Sequence, residues 1–183
     1  MIGQSSLNDF NRIYDETYTD VIRFIVVKCS NIDDVNDILQ ETYLEFWKIL
    51  QKKKLDDKNI KSYLFGIALN KIRKHHSLLY KLNTISLFQK DEHDKELIES
   101  FSLDLTIEDL IIKKDEWNQI WQYIKTKKNQ NIPKIFYLYY KLELSIKDIS
   151  KELGKGESYV KNSIYRTLKE LNSIFGKESD LND

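Results

Sequence analysis

Apolar residues recur every three or four positions along most of the chain, a spacing that places them on one face of an α-helix. Polar or charged connections interrupt this pattern at intervals and mark the ends of the predicted helices. The helices predicted in this way cover residues 9–28, residues from Asn31 or Asp33 to about Leu50, residues from about 60 to 80, residues from about 107, and residues from Asn131. We therefore expect an all-α protein.

The apolar stripes of the first two helices should be buried. In the first helix they consist of Phe10, Ile13, Tyr14, Val21, Phe24 and Ile25, and in the second of Val35, Ile38, Leu39, Tyr43, Phe46 and Trp47. Residues 83–105 have no clear period, and we interpret them as a mobile linker with room for one short helix. The expected architecture is two small helical bundles joined by this linker.

Near the C-terminus the pattern changes to two short helices joined by a glycine turn. Ser145, with Asp148 three residues later, predicts a capping box, and Gly154 stands where a left-handed residue ends a helix. The second helix starts at Gly156 or just after it. Its apolar positions should face the core: Val160, Ile164, Leu168 and Leu171. Its opposite side carries side chains that can reach phosphates or base edges, namely Lys161, Asn162, Tyr165, Arg166 and Lys169.

Such a pair of helices is typical of a helix-turn-helix, which places its second helix in the major groove of DNA. The alternative is a helical hairpin with a solvated polar face. The sequence therefore predicts a candidate DNA-reading motif in the C-terminal bundle.

Composition limits the class of protein further. Five glycines and one proline in 183 residues leave helices largely uninterrupted. The single cysteine, Cys29, excludes an internal disulfide and fits a reducing compartment. No apolar run approaches the ~20 residues that cross a membrane, and no signal-peptide pattern opens the chain. We therefore expect a cytoplasmic protein without membrane insertion.

The formal net charge is zero, but the charges are segregated along the chain. Residues 1–47 sum to −6, residues 48–81 to +8 and residues 132–176 to +3. Phosphate attraction decays over ~10 Å in ordinary salt, so local charge matters more than the total. The two basic blocks are thus compatible with nucleic-acid binding.

Two further motifs carry a family resemblance. The first is Asp34-Val-Asn-Asp37-Ile-Leu-Gln40-Glu41-Thr-Tyr43-Leu-Glu-Phe46-Trp47-Lys48, which resembles the "D-A-x-D-L-x-Q-E-x-F-x-x-x-W" helix of bacterial sigma factors. The second is Ile60-Lys-Ser-Tyr63-Leu-Phe-Gly-Ile67-Ala68-Leu-Asn70-Lys-Ile-Arg73, which resembles the adjoining "W-L-x-x-I-A-x-N" helix. With the helix-turn-helix, the chain resembles the extracytoplasmic-function (ECF) group of the sigma-70 family over roughly residues 8–175.

The resemblance implies a division of the chain into three parts. Residues 1–82 would form the N-terminal sigma domain, which docks on core polymerase and recognises and opens the −10 promoter element. Residues 83–105 would form the linker, and residues 106–178 the C-terminal domain, which reads the −35 element. The partners implied are the clamp helices of the largest subunit of RNA polymerase, promoter DNA and, for many members, an anti-sigma protein.

The resemblance assigns polymerase docking to four residues of the second helix: Asp37, Gln40, Glu41 and Glu45. An acidic and amide-bearing helix face can pair with arginines on a partner coiled coil. The alternative is an ordinary solvated acidic face.

The resemblance assigns contact with the start-proximal promoter element to the third helix and to the loop before it. The implied residues are Lys61, Tyr63, Asn70, Lys71, Arg73 and Lys74, with Lys52, Lys53, Lys54 and Lys58 along the single strand. Asn70 can hydrogen-bond a flipped base, and Arg73 and Lys74 share its helix face. For Tyr63 two roles stay open, a core position, which we favour, and a surface on which a base stacks.

Two other classes of function compete with a sigma factor. A stand-alone helix-turn-helix regulator would bind duplex DNA without docking on polymerase, and would usually dimerise. A metal site could draw on His75, His76 and Cys29, but adjacent histidines do not share a helix face and no paired thiol lies near Cys29 in the sequence. We expect no enzyme activity, cofactor or metal.

Overall fold

A computed structural model describes residues 2–52, 59–83 and 114–175, with side chains in 7–52, 59–76 and 117–175. Every element in these ranges is helical, which confirms the all-α prediction. The helices are α1 (Ile2–Lys28), α2 (Val35–Leu50), α3 (Ile60–Asn83), α4 (Lys114–Lys125), α5 (Asn131–Phe136), α6 (Ile146–Leu153) and α7 (Glu157–Phe175). The chain divides into two compact units, Met1–Asp91 and Glu92–Asp183.

In the first unit, α1, α2 and α3 pack on one another in pairs. The core contains fully buried Ile25, Ile38 and Phe46, as the apolar pattern predicts. Ile22 and Val26 are also fully buried, although they lie outside the predicted stripe of α1. The stripe is wider than predicted because α1 packs against both α2 and α3.

The connection from α1 to α2 is a short 3₁₀ turn, Ile32–Asp34. Asn31 and Asp33 are the two residues at which the sequence predicts the second helix to start, but neither is the N-cap of α2. The side chain of Asn31 caps the 3₁₀ turn instead, because it accepts a hydrogen bond of 3.1 Å from the backbone N–H of Asp33. The Sγ of buried Cys29 lies 3.1 Å from the carbonyl oxygen of Asn31 and donates to it. These bonds hold the turn that precedes α2, whose own N-cap residue, Asp34, makes no side-chain capping bond.

The second unit buries the apolar faces of α4 to α7 around Ile124, Ile135, Ile149 and Ile164. The helix that begins at Asn131 does not continue as an α-helix, since α5 passes into a π-helical turn at Tyr137–Lys141. The turn closes with bonds from Leu142 N–H to Tyr137 O (3.2 Å) and from Leu144 N–H to Leu138 O (3.0 Å). Glu143 takes a left-handed conformation there, with φ of 52°.

Some predictions fall outside the described residues. These are the linker, except for Asn83, the resumption of helix near Ile107, and the roles of Lys53, Lys54 and Lys58. Within the described ranges, none of the helices combines the length and apolar character required to cross a membrane.

Candidate protein-docking and nucleic-acid interfaces

The acidic and amide side chains of α2 lie outside its buried face, Glu41 and Glu45 at the border with α3. Asp37 and Gln40 are exposed, and Glu41 and Glu45 are partly exposed. The opposite side of α2 is fixed in the core by Ile38, Thr42 and Phe46, each fully buried. The four residues proposed for docking are therefore accessible on a helix whose orientation is held by packing.

An apolar groove of about 370 Å³ lies beside this face, between α1 and α2. It is lined by Leu7, Phe10, Asn11, Tyr14, Asn36, Leu39, Gln40, Tyr43, Leu44 and Trp47. Aromatic rings pack along it, with Phe10 and Trp47 centroids 5.2 Å apart and Tyr14 and Tyr43 centroids 4.6 Å apart. Leu44, at 52% exposure, and Leu7 stand open to solvent.

Sequence reasoning missed this groove, because it assigned Phe10, Tyr14 and Trp47 to the buried stripe. These three side chains are only half-buried. The signal that could have indicated the groove is the presence of Leu7 and Leu44 outside the predicted stripes. Exposed apolar side chains that adjoin one another mark interaction surfaces more often than isolated ones do.

Tyr43 forms the inner wall of the groove. Its side chain is only 4% exposed, and its hydroxyl shares a hydrogen bond of 2.9 Å with Thr17 Oγ1. Thr17 in turn donates to the carbonyl oxygen of Ile13 at 2.6 Å. Burial raises the pKa of Tyr43 to about 12. The hydroxyl therefore stays protonated and joins α1 to α2.

Ion pairs join α2 to α3 and bring together residues that the sequence assigns to different surfaces. Lys71 Nζ lies 2.5 Å from Glu45 Oε2 and 3.6 Å from Glu41 Oε2, while His75 Nε2 lies 3.5 Å from Glu41 Oε1. Lys71 is only 18% exposed, and its hydrogen bond to Glu45 raises the pKa of Lys71. Lys71, predicted to contact DNA, thus lies against two residues predicted to contact polymerase.

The outer face of α3 carries the other predicted start-proximal residues. Asn70, Arg73 and Lys74 are exposed, as is Lys61, which pairs with Asp20 on α1. The core position favoured for Tyr63 is wrong, since this side chain is 41% exposed. Ile60, Leu64 and Ile67 fill the buried side of these turns, so Tyr63 turns outward. Its ring is therefore available to a ligand.

The pair α6 and α7 has the predicted capping residues, with Ser145 at the start of α6 and Gly154 at its end. Ser145 Oγ accepts a bond of 3.1 Å from the N–H of Asp148, and Gly154 adopts φ of 62°. The carboxylate of Asp148 accepts a hydrogen bond of 2.6 Å from the Ser145 hydroxyl. In a complete capping box this carboxylate accepts from the backbone N–H of the cap residue instead. The carbonyl of Gly156 accepts the first bond of α7, from Val160 at 3.2 Å.

The two faces of α7 differ as the sequence predicts. Val160, Ile164, Leu168 and Leu171 are buried. Lys161, Arg166 and Lys169 are exposed, and Asn162 and Tyr165 are half-buried. The face combines cations, an amide and a phenol on one side of a helix.

Contacts to the rest of the unit hold α7 in position. Lys127 Nζ donates to Glu170 Oε2 at 2.5 Å, and Tyr123 donates to Glu170 Oε1 at 2.8 Å. The hydrogen bond from Lys127 holds the pKa of Glu170 below its usual value. Near the other end of α7, Asn129 Nδ2 donates to the Tyr159 hydroxyl at 2.8 Å. The polar face of α7 is therefore carried on a helix pinned at two places.

Metal binding finds no support in the described part of the chain. There, no three side chains of His, Cys, Asp or Glu come close enough to hold an ion. His75 and His76 contact different partners, Glu41 and Ser30 respectively.

Comparison of the chain with models of known protein families and with curated proteins gives no match.

Proposed function

We propose that this chain is a sigma factor of the ECF group, a dissociable subunit that binds core RNA polymerase and directs promoter-specific initiation. The observation that carries the DNA-binding part of the proposal is the pair α6 and α7, and the motif of α2 is what favours a sigma factor over a stand-alone regulator. A capped helix, a left-handed glycine and a second helix with a cationic outer face match what major-groove recognition requires. The polymerase supplies the chemistry, and the chain supplies position and sequence preference.

In this proposal α7 reads the upstream promoter element. Lys161, Arg166 and Lys169 are exposed cations that can reach phosphates or guanine edges. Asn162 can hydrogen-bond adenine, and Tyr165 can contact a thymine methyl group with its ring. The anchoring of α7 through Glu170 and Tyr159 favours a fixed docking angle.

Docking on polymerase is assigned to α2 on the resemblance of its motif. Exposed Asp37 and Gln40, with Glu41 and Glu45 beside them, offer carboxylate and amide oxygens to arginines of a partner coiled coil. The neighbouring groove between α1 and α2 supports this role, because it offers apolar surface to the same partner helix.

The first experiment tests the function as a whole. Transcription starts are mapped after overexpression, and the strongest promoter found becomes the template for run-off transcription with purified chain and core polymerase. The chain should co-elute with core polymerase and initiate from this promoter. Failure of both would refute the proposal. Binding of a palindromic duplex by the chain alone, without co-elution, would favour the stand-alone regulator, since α6 and α7 by themselves fit that class equally well.

Two variants assign the surfaces. Glu41→Lys should abolish most co-elution with core polymerase. Glu16→Lys should retain it, because Glu16 is exposed and pairs with Arg12 on its own helix. Arg166→Ala should weaken binding to the upstream duplex by about 5- to 150-fold. Arg12→Ala, an exposed arginine of the first unit, is the matched control and should bind that duplex like the wild type. Equal behaviour within either pair would contradict the assignment.

A further inference from the structure

Lys71 stands in line with the buried face of α3. At about 100° per residue it lies about 20° from Leu64 and about 40° from Ile67 around the helix axis. Both of these residues are buried, because this side of α3 packs against the rest of the first unit. The side chain of Lys71 is accordingly only 18% exposed. A lysine at this position is therefore directed at a neighbouring helix instead of at solvent.

Two carboxylates of that neighbouring helix, α2, receive the ammonium of Lys71. Nζ lies 2.5 Å from Glu45 Oε2 and 3.6 Å from Glu41 Oε2. Glu41 and Glu45 are four residues apart, so they are neighbours on one side of α2. His75, one turn after Lys71 on α3, lies 3.5 Å from Glu41 Oε1 through its Nε2. Lys71 thus bridges two of the four residues to which polymerase docking is assigned.

The same carboxylates are open to an approaching partner. The side chains of Glu41 and Glu45 are 40% and 46% exposed, although Lys71 contacts them from the inner side. An arginine of a partner would bind such a carboxylate through two parallel hydrogen bonds. A guanidinium placed on Glu45 in this way would lie close to the ammonium of Lys71, and the two positive charges would repel each other. Binding of the partner and retention of the Lys71 contact are therefore in conflict.

We propose that Lys71 is an internal competitor of the docking partner, which occupies Glu45 and Glu41 in the free chain and is displaced by an arginine of the partner helix. The inference rests on the proposed function, since it adds an autoinhibitory contact to the surface assigned to polymerase docking. The long stem of a lysine allows the displaced ammonium to turn to solvent while its methylene groups stay packed.

The contact favours one chemistry in the partner. Lys71 offers a single point charge, whose short contact is with one oxygen of Glu45. A guanidinium offers a planar fork that matches both oxygens of a carboxylate and is more weakly hydrated than an ammonium. Arginine on the partner should therefore displace Lys71, whereas a partner lysine has no such advantage over it.

The first test measures the Kd of the full chain for core polymerase by fluorescence anisotropy, without DNA. Lys71→Met removes the competitor but keeps an unbranched side chain, and it should bind about 1.5- to 5-fold more tightly, the range expected for one partly exposed ion pair. Lys71→Arg keeps a cation against the carboxylates and should not gain affinity. Lys28→Met, which removes an exposed lysine of α1, is the matched control and should bind like the wild type.

A second measurement follows the amine of Lys71 in the wild type, so it does not depend on the folding of a variant. The chain is treated briefly with acetic anhydride, alone and bound to core polymerase, and acetylation of Lys71 and Lys28 is quantified by mass spectrometry. In the free chain Lys71 should react more slowly than Lys28, because the hydrogen bond to Glu45 raises the pKa of Lys71 and keeps its amine protonated. Binding of polymerase should increase the rate at Lys71.

The outcomes separate this inference from the proposed function. If the wild-type chain does not bind core polymerase, the proposed function fails and the inference fails with it. If the chain binds and the rate at Lys71 stays constant or falls, the ion pair persists in the complex, and the inference alone is refuted. Equal gains in affinity for Lys71→Met and Lys28→Met would also overturn it, because net charge would then explain the gain. So would a Lys71→Met variant that has the wild-type circular dichroism spectrum and gains no affinity.

Discussion

The hydroxyl of Tyr43 gives a direct measure of how firmly α1 packs on α2 beside the groove. The side chain is 4% exposed, and burial raises its pKa from 10 to about 12. Between these two pH values the unfolded chain has lost the phenolic proton and the folded chain retains it. Raising the pH through this window therefore favours unfolding, and below about pH 10 the effect vanishes.

The size of the effect follows from the two pKa values. A difference of two units corresponds to about 2.7 kcal/mol once both states are ionised, and to about 1.4 kcal/mol at pH 11. Tyr43→Phe removes this loss but also removes the hydrogen bond to Thr17, which contributes about 1 kcal/mol. Thr17 keeps its bond to the Ile13 carbonyl. The wild type should thus be more stable at neutral pH, and the two should become equal near pH 11.

Urea unfolding followed by far-ultraviolet circular dichroism measures this crossover. The free energy of unfolding is determined for both proteins at several values between about pH 8 and pH 11. Both proteins contain the ten other tyrosines, so the difference between the two proteins reports the contribution of the Tyr43 hydroxyl. Tyr63→Phe, which removes a hydroxyl from an exposed site, is the matched control. A difference between wild type and Tyr43→Phe that stays constant with pH would refute the reasoning.

Three further substitutions test other parts of the fold by urea unfolding. Ser145→Ala removes the cap of α6 and should lower the free energy of unfolding by about 1 kcal/mol; no change would mean that the cap bond at 3.1 Å contributes nothing. Glu143→Gly relieves a left-handed non-glycine residue, which costs about 1–2 kcal/mol, but adds about 0.5–1 kcal/mol of chain entropy to the unfolded state, so stability should rise by up to about 1 kcal/mol, a gain that an unstrained turn would not give. Lys71→Met leaves Glu41 and Glu45 without this cation and should lower stability, whereas Lys71→Arg should retain most of it; equal loss in both would show that charge is not what Lys71 provides.

Helix positions were the most predictable part of the fold. The end of α2 at Leu50 and the start of α3 at Ile60 agree with the change from apolar period to a lysine-rich connection. The start of α1 was not predicted, because the helix begins at Ile2 and its first turns lack the apolar stripe that marked the rest. A helix can extend past its buried face through backbone bonds alone, and periodicity does not detect that extension.

Burial was less predictable where a helix has two neighbours. Each helix was assigned one stripe, yet Ile22 and Val26 are buried because α1 meets α2 and α3 at different angles around its axis. Phe10 and Trp47 are only half-buried because they lie at the edge of the core, and their large rings extend beyond it. The π-helical turn at Tyr137–Lys141 depends on hydrogen-bond register, which residue types do not reveal.

Lys71 links the candidate docking surface on α2 to the candidate DNA-contacting surface on α3. The resemblance assigns it to the same DNA contact as Asn70, but neighbours on a helix point about 100° apart. Asn70 therefore faces solvent while Lys71 reaches Glu45 at 2.5 Å and Glu41 at 3.6 Å. A cation of any docking partner must compete with Lys71 for these carboxylates, whereas exposed Asp37 has no such competitor among the ion pairs of the described residues. The charge that α2 presents to a partner is thus set in part by α3, the helix to which DNA contact is assigned.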